Sequence, residues 1–185
     1  MQLRDLPNII SALRLIAVVP VVWLLLEQEF GWALALFAVA GVSDGIDGYL
    51  ANHFGWQSRL GGMLDPLADK ILLVSCFLVL GSMGLIPVWL VLAAVFRDLV
   101  IVSGALAYHF RVAEVEAAPT LVSKLNTVLQ LVLVVVVILD AGVYALPRPL
   151  IATLVWACLG TLVVSGVQYV WVWSRKARIQ GWKDE

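Results

Sequence analysis

Four aspartates carry the clearest chemical signal in this chain. Asp44 and Asp47 are three residues apart and Asp65 and Asp69 four apart, so each pair falls on one face wherever its stretch is helical. The first pair closes one apolar run, Ser43-Asp44-Gly45-Ile46-Asp47-Gly48-Tyr49-Leu50-Ala51-Asn52, and the second opens the next, Gly61-Gly62-Met63-Leu64-Asp65-Pro66-Leu67-Ala68-Asp69-Lys70. A charged side chain deep in a membrane span costs about 2.5–3.5 kcal/mol, so four would cost on the order of 10 kcal/mol. Placement at the interface lowers that cost, but four like charges still repel one another. Such a cluster requires a cation. Carboxylate oxygens without a His or Cys ligand pattern suit magnesium, manganese or calcium better than zinc. Two divalent ions about 4 Å apart would stabilise both the attacking and the leaving oxygen in a phosphoryl-type transfer. Gly45, Gly48, Ala51, Gly61 and Gly62 strip side-chain bulk from the same stretch, which permits close helix packing or close approach of a nucleotide.

The rest of the chain must place these carboxylates in a membrane. Of 185 residues 62% are hydrophobic and 14% charged, and the mean hydropathy of +0.98 exceeds that of ordinary soluble domains. No linker or low-complexity stretch divides the chain, so residues 1–185 read as one domain. A bilayer core of about 30 Å takes roughly 20 apolar helical residues. Six segments meet or approach that length, 9–27, 30–52, 63–83, 86–110, 121–140 and 148–174. The expected fold is therefore an all-α integral membrane bundle of six transmembrane helices. The mixed opening Met1–Asn8 reads as a short interfacial helix with a break near Pro7. The first apolar run lacks a small-residue cleavage pattern before Glu27-Gln28-Glu29 and reads as a permanent span.

Arg4, Arg14, Arg59, Lys70, Arg111, Lys124, Arg175, Lys176, Arg178 and Lys183 lie at one set of ends, and only Arg148 at the other. The positive-inside rule makes both termini and the acidic cluster cytoplasmic. Trp23, Trp32 and Trp89 near the outer ends, and Trp56, Trp171, Trp173 and Trp182 near the inner ones, read as an aromatic belt. Cys76 and Cys158 fall inside apolar runs and read as small buried residues, not as a disulfide or zinc site. A net charge of −1 does not suggest nucleic acid.

The acidic stretch resembles the signature of the CDP-alcohol phosphatidyltransferases, Asp-x2-Asp-Gly-x2-Ala-Arg-x8-Gly-x3-Asp-x3-Asp. Here Asp44, Asp47, Gly48, Ala51, Gly61, Asp65 and Asp69 keep every spacing, with Asn52 in place of the Arg. The resemblance implies that Asp44, Asp47, Asp65 and Asp69 lie at a site for two Mg2+ or Mn2+ ions that bind the diphosphate of a CDP-lipid. It also implies that Asp69 is the base that deprotonates the acceptor hydroxyl. Asp44, Gly48, Ala51, Asn52 and Gly61 would line the nucleotide, with Arg59 or His53 as substitutes for the missing cation. It further implies a homodimer in a bacterial inner membrane, with the active site cytoplasmic.

Within that family the chain resembles the cardiolipin synthases along nearly its whole length, through Leu6-Pro7-Asn8-Ile9-Ile10-Ser11 with Arg14, Leu64–Lys70, Arg97-Asp98 and Ser123-Lys124-Leu125-Asn126-Thr127. The implied substrates are CDP-diacylglycerol and phosphatidylglycerol, giving cardiolipin and CMP, with Arg97, Arg111, Lys124 and Asn126 binding the acceptor. A phosphate monoester acceptor carries nearly two charges and favours several cations, whereas Asn126 and Asp98 lower the positive charge on offer. Glycerol-3-phosphate, as used by phosphatidylglycerophosphate synthases, stays open as the acceptor. Arg97 and Asp98 could also simply pair within the bundle. Rival classes are a carboxylate-lined divalent-cation transporter and a catalytically inactive scaffold, the latter motivated by Asn52 alone.

Overall fold

A computed structural model describes the backbone of residues 6–54, 61–111 and 120–180, and the side-chain surroundings of residues 10, 12–43, 67–104, 120–169 and 171–172. Six helices follow in chain order: α1 (Leu6–Leu26), α2 (Phe30–Phe54), α3 (Gly61–Ser82), α4 (Val88–Arg111), α5 (Leu121–Gly142) and α6 (Arg148–Gln180). No strand occurs among the described residues. Each helix covers one of the six apolar segments. The interfacial helix expected over residues 1–8 lies mostly outside the described residues, but α1 already starts at Leu6 and no break occurs at Pro7. Proline is tolerated there because first-turn amides have no intrahelical partner.

Among the described residues two stretches are long and apolar enough to cross a bilayer by length and composition, Leu121–Gly142 and Arg148–Tyr169, and residues 12–26 of α1 and 30–43 of α2 are apolar over a shorter length. For α1, α2, α3 and α4 the stretches with described side chains are 12–26, 30–43, 67–82 and 88–104, each shorter than a full span.

The chain divides into two compact units. The first holds α1, α2, α3 and the end of α5 with the connection after it, residues 134–147. In it α1 packs against both α2 and α3. The α1 stripe that turns inward is Arg14, Val18, Val21 and Leu25, while Leu13, Ile16, Val19, Trp23 and Leu26 face outward. From α2 come Ala33, Phe37 and Ala40, and from α3 Ala68, Leu72, Leu73, Cys76, Phe77 and Leu80. Spacings of three and four are those of one helix face, and apolar residues on the outer faces suit a lipid solvent.

Tight connections keep the helices adjacent. Gln28 adopts a left-handed φ of 62° and Gly84 one of 73°. The amides of Gly84 and Leu85 donate to the carbonyls of Gly81 and Leu80, which closes the end of α3. The carboxylate of Asp140 accepts the Leu146 amide at 2.7 Å and holds the turn after α5.

The second unit holds α4, residues 121–133 of α5, and α6, with α4 packed on α6. In it the rings of Trp89 and Trp156 meet at a tilt of 37°, with 5.9 Å between centroids. At 33 residues, α6 is about 50 Å long, more than a bilayer core requires. Cys76 and Cys158 are free and buried, as the sequence indicates.

Candidate active site

In the first unit the four signature aspartates ride on two consecutive helices, Asp44 and Asp47 late in α2 and Asp65 and Asp69 early in α3. Only seven Cα steps separate Phe54 from Gly61, so the two helix ends lie within about 25 Å of each other. The side chains of Asp44, Asp47 and Asp65, with those of Gly48, Ala51, Asn52 and Gly61, lie outside the described residues, as does Arg59 entirely.

Asp69 is described in full. Its carboxylate Oδ1 accepts from Nη1 of Arg14 at 2.5 Å, and the side chain of Arg14 is 1% exposed against 43% for Asp69. Each residue stands eight positions into its helix, so the pairing sets the starts of α1 and α3 side by side. A cavity of about 220 Å³ lies between α1 and α2, walled by Ile10, Leu13, Ala17, Leu36, Val39 and Ala40, with Arg14 and Ser43 as its polar members. Ser43, directly before Asp44, returns its hydroxyl to the Val39 carbonyl at 2.7 Å.

The residues expected to bind the acceptor fall in the second unit, and the structure groups only some of them. Arg97 is buried. Its Nη1 donates to Asp98 Oδ1 at 3.0 Å, its Nη2 to Ser123 Oγ at 2.7 Å and also to Ser165 Oγ, and its guanidinium lies 5.8 Å from the Tyr169 ring centroid. Asn126 is fully buried, and its Oδ1 accepts from Thr161 Oγ1 at 3.1 Å. Arg97 Nε and Asn126 Nδ2 have no hydrogen-bond partner among the described residues. Lys124 is exposed, off the buried face of α5 that carries Ser123, Asn126 and Gln130. Arg111 ends α4, and its side chain lies outside the described residues.

Sequence reasoning missed the pairing of Arg14 with Asp69, and it missed Thr161, Ser165 and Tyr169. A signal for the last three was present. They recur at spacings of four in the mainly apolar stretch 150–173 of α6, which marks one polar face.

The sequence model of CDP-alcohol phosphatidyltransferase matches residues 4–170. The chain belongs to the CDP-alcohol phosphatidyltransferase family. The match runs through both units and contains every residue named above as part of the site. Relatives within the family include a Rattus norvegicus protein named cardiolipin synthase (CMP-forming), 32% identical over 92% of this chain and 62% of its own length. A Streptomyces coelicolor protein of the same name is 39% identical over 58% of this chain and 54% of its own. A rice chloroplast protein named as a CDP-diacylglycerol–glycerol-3-phosphate 3-phosphatidyltransferase is 30% identical over 89% of this chain and 56% of its own. The chain thus spans less than two thirds of the length of these relatives.

A divalent metal, which membership of this phosphotransferase family implies, fits the residues present. The candidate donors Asp44, Asp47, Asp65 and Asp69 are all carboxylates, the preference of hard cations. Asp69, whose surroundings are described, is held with its carboxylate partly open.

Proposed function

We propose that this protein is a cardiolipin synthase, joining the phosphatidyl group of CDP-diacylglycerol to a hydroxyl of phosphatidylglycerol with release of CMP. The observation that carries the acceptor is the alignment of the Rattus norvegicus relative of that name with 92% of the chain. In this reading Asp69 takes the proton of the free glycerol hydroxyl. The hydroxyl oxygen then attacks the phosphorus bearing diacylglycerol, and the bond from that phosphorus to the CMP oxygen breaks. Asp44, Asp47, Asp65 and Asp69 would hold two Mg2+ or Mn2+ ions, which when bound supply neutralising charge to the diphosphate. Asp44, Gly48, Ala51, Asn52, Gly61 and Arg59 line the cytidine nucleotide.

Arg97 and Asn126 orient the acceptor phosphate, and Arg111 and the exposed Lys124 contribute attraction for it at longer range. For Arg97 the free valence is Nε, and for Asn126 it is Nδ2, since their other polar atoms are engaged within the protein. Both substrates are lipids and enter sideways from the bilayer. All six helices span a bacterial inner membrane as one functional domain, with termini and active site cytoplasmic, and two chains form a homodimer. The one-sided distribution of Lys and Arg supports the orientation, and the family match across residues 4–170 supports the single domain.

A second reading, glycerol-3-phosphate as acceptor, is favoured by the rice relative. The deciding experiment offers the purified protein CDP-diacylglycerol and Mn2+ with either acceptor and identifies products by mass spectrometry. Cardiolipin from phosphatidylglycerol supports the proposal. Product from glycerol-3-phosphate alone replaces the acceptor, and divalent-cation flux into liposomes without CMP would favour a transporter.

A further inference from the structure

We propose that Arg14 is a positioning residue for Asp69, fixing the carboxylate that takes the acceptor proton; this rests on the functional reading above. Three observations lead there. Arg14 occupies a place in the α1 stripe whose other members are Val18, Val21 and Leu25, where an apolar side chain would continue the pattern. Desolvating a guanidinium costs several kcal/mol, and buried ion pairs exchanged for well-packed apolar residues are often neutral or stabilising. Fold stability alone therefore gives a weak reason for an arginine at this position.

The pair is also asymmetric. The side chain of Arg14 is 1% exposed and that of Asp69 43%. Here the cation is sealed behind the carboxylate and the carboxylate keeps an open side, as a group must that receives a proton from an incoming lipid.

Finally, the contact is directional. Nη1 of Arg14 meets Oδ1 of Asp69 at 2.5 Å, and a planar guanidinium fixes the orientation of a carboxylate in a way that a lysine ammonium does not. With Oδ1 tied to α1, the carboxylate of Asp69 is defined relative to two helices instead of one. Arg14 also walls the cavity next to Ser43, the residue before Asp44, so α1 supports both acidic stretches at their edges.

The test compares wild type, Arg14→Lys and Arg14→Gln, each as the full chain in detergent. Competent sites are counted by equilibrium binding of radiolabelled CDP-diacylglycerol, and Mn2+ binding is followed by electron paramagnetic resonance. Misplacement of a reacting group by about 1 Å costs on the order of 100-fold, and that loss in kcat per competent site is expected for Arg14→Gln. For Arg14→Lys, which keeps the charge and loses the planar fork, the expected loss is roughly 10-fold. The KM for phosphatidylglycerol should stay within about threefold in both, and Mn2+ binding, which Asp69 shares with Asp44, Asp47 and Asp65, should weaken far less than turnover falls. Turnover per site within twofold of wild type in Arg14→Lys would overturn the inference, whatever happens to Arg14→Gln. A wild-type protein that binds CDP-diacylglycerol and releases no CMP to any acceptor would instead overturn the functional reading.

Discussion

The two units each bury an arginine, and they use it differently. In the first, Arg14 is enclosed and its carboxylate partner is half open, with side-chain exposures of 1% and 43%. In the second, Arg97 and Asp98 are both largely enclosed, at 7% and 16%. The guanidinium of Arg97 is further wrapped by Ser123, Ser165 and the Tyr169 ring. One arginine presents an acid to its surroundings, while the other ties three helices together. A buried arginine near an aspartate is therefore not one kind of evidence. What separates the two pairs is the exposure of the acid.

The contrast can be broken from either side. The largest effects are expected in the acidic stretch. Asp44→Asn or Asp65→Asn should lower CMP release by about 1,000-fold or more and weaken Mn2+ binding measured by electron paramagnetic resonance. Release within tenfold of wild type would separate these residues from the chemistry. In the second unit the leading effect should be on folding. Arg97→Gln takes the guanidinium from the largely enclosed Asp98 and should cost up to about 3–5 kcal/mol in detergent unfolding. Arg14→Gln should cost clearly less, because the open carboxylate of Asp69 can be solvated. Equal losses would erase the distinction between the two pairs.

Ser165→Ala removes one acceptor from the Arg97 fork and should destabilise by about 1–3 kcal/mol. Gly142→Ala should cost a similar 1–3 kcal/mol, since a Cβ there would collide with Phe30. The smallest effect should come from Lys124→Ala. An exposed lysine contributes about 1 kcal/mol or less to a charge contact, so the KM for phosphatidylglycerol should rise no more than severalfold with stability unchanged.

Much of this is legible in the amino-acid order. The six helices coincide with the six apolar segments because runs of Leu, Val and Ala broken by short polar turns leave the chain few alternatives in lipid. The aspartate pairs can be placed on helix faces because spacings of three and four have only one meaning on a helix. The pairing of Arg14 with Asp69 cannot be read the same way, since it joins residues 55 positions apart and depends on how α1 packs against α3. The helix start at Leu6 is hidden by Pro7, which looks like a breaker but is harmless in a first turn.

Lys124 and Asn126 teach a different lesson. As near neighbours in the chain they invite grouping in one acceptor set, yet residues two apart on a helix point about 200° around the axis from each other. The structure accordingly exposes Lys124 and buries Asn126. That separation follows from helix geometry alone. By contrast, the hydroxyls of α6 give little warning, because serine and threonine in apolar helices often bond back to their own backbone. Thr161 does this toward Ala157 and Cys158, each at 3.1 Å, while also reaching Asn126.

The most direct test of the account is CMP release by Asp69→Asn, measured per bound CDP-diacylglycerol with phosphatidylglycerol and Mn2+ present. Loss of the base should keep CDP-lipid binding and reduce release by roughly 100-fold to 10,000-fold. Binding retained with release within tenfold of wild type would contradict it, because the open carboxylate held by Arg14 would then have no part in the reaction.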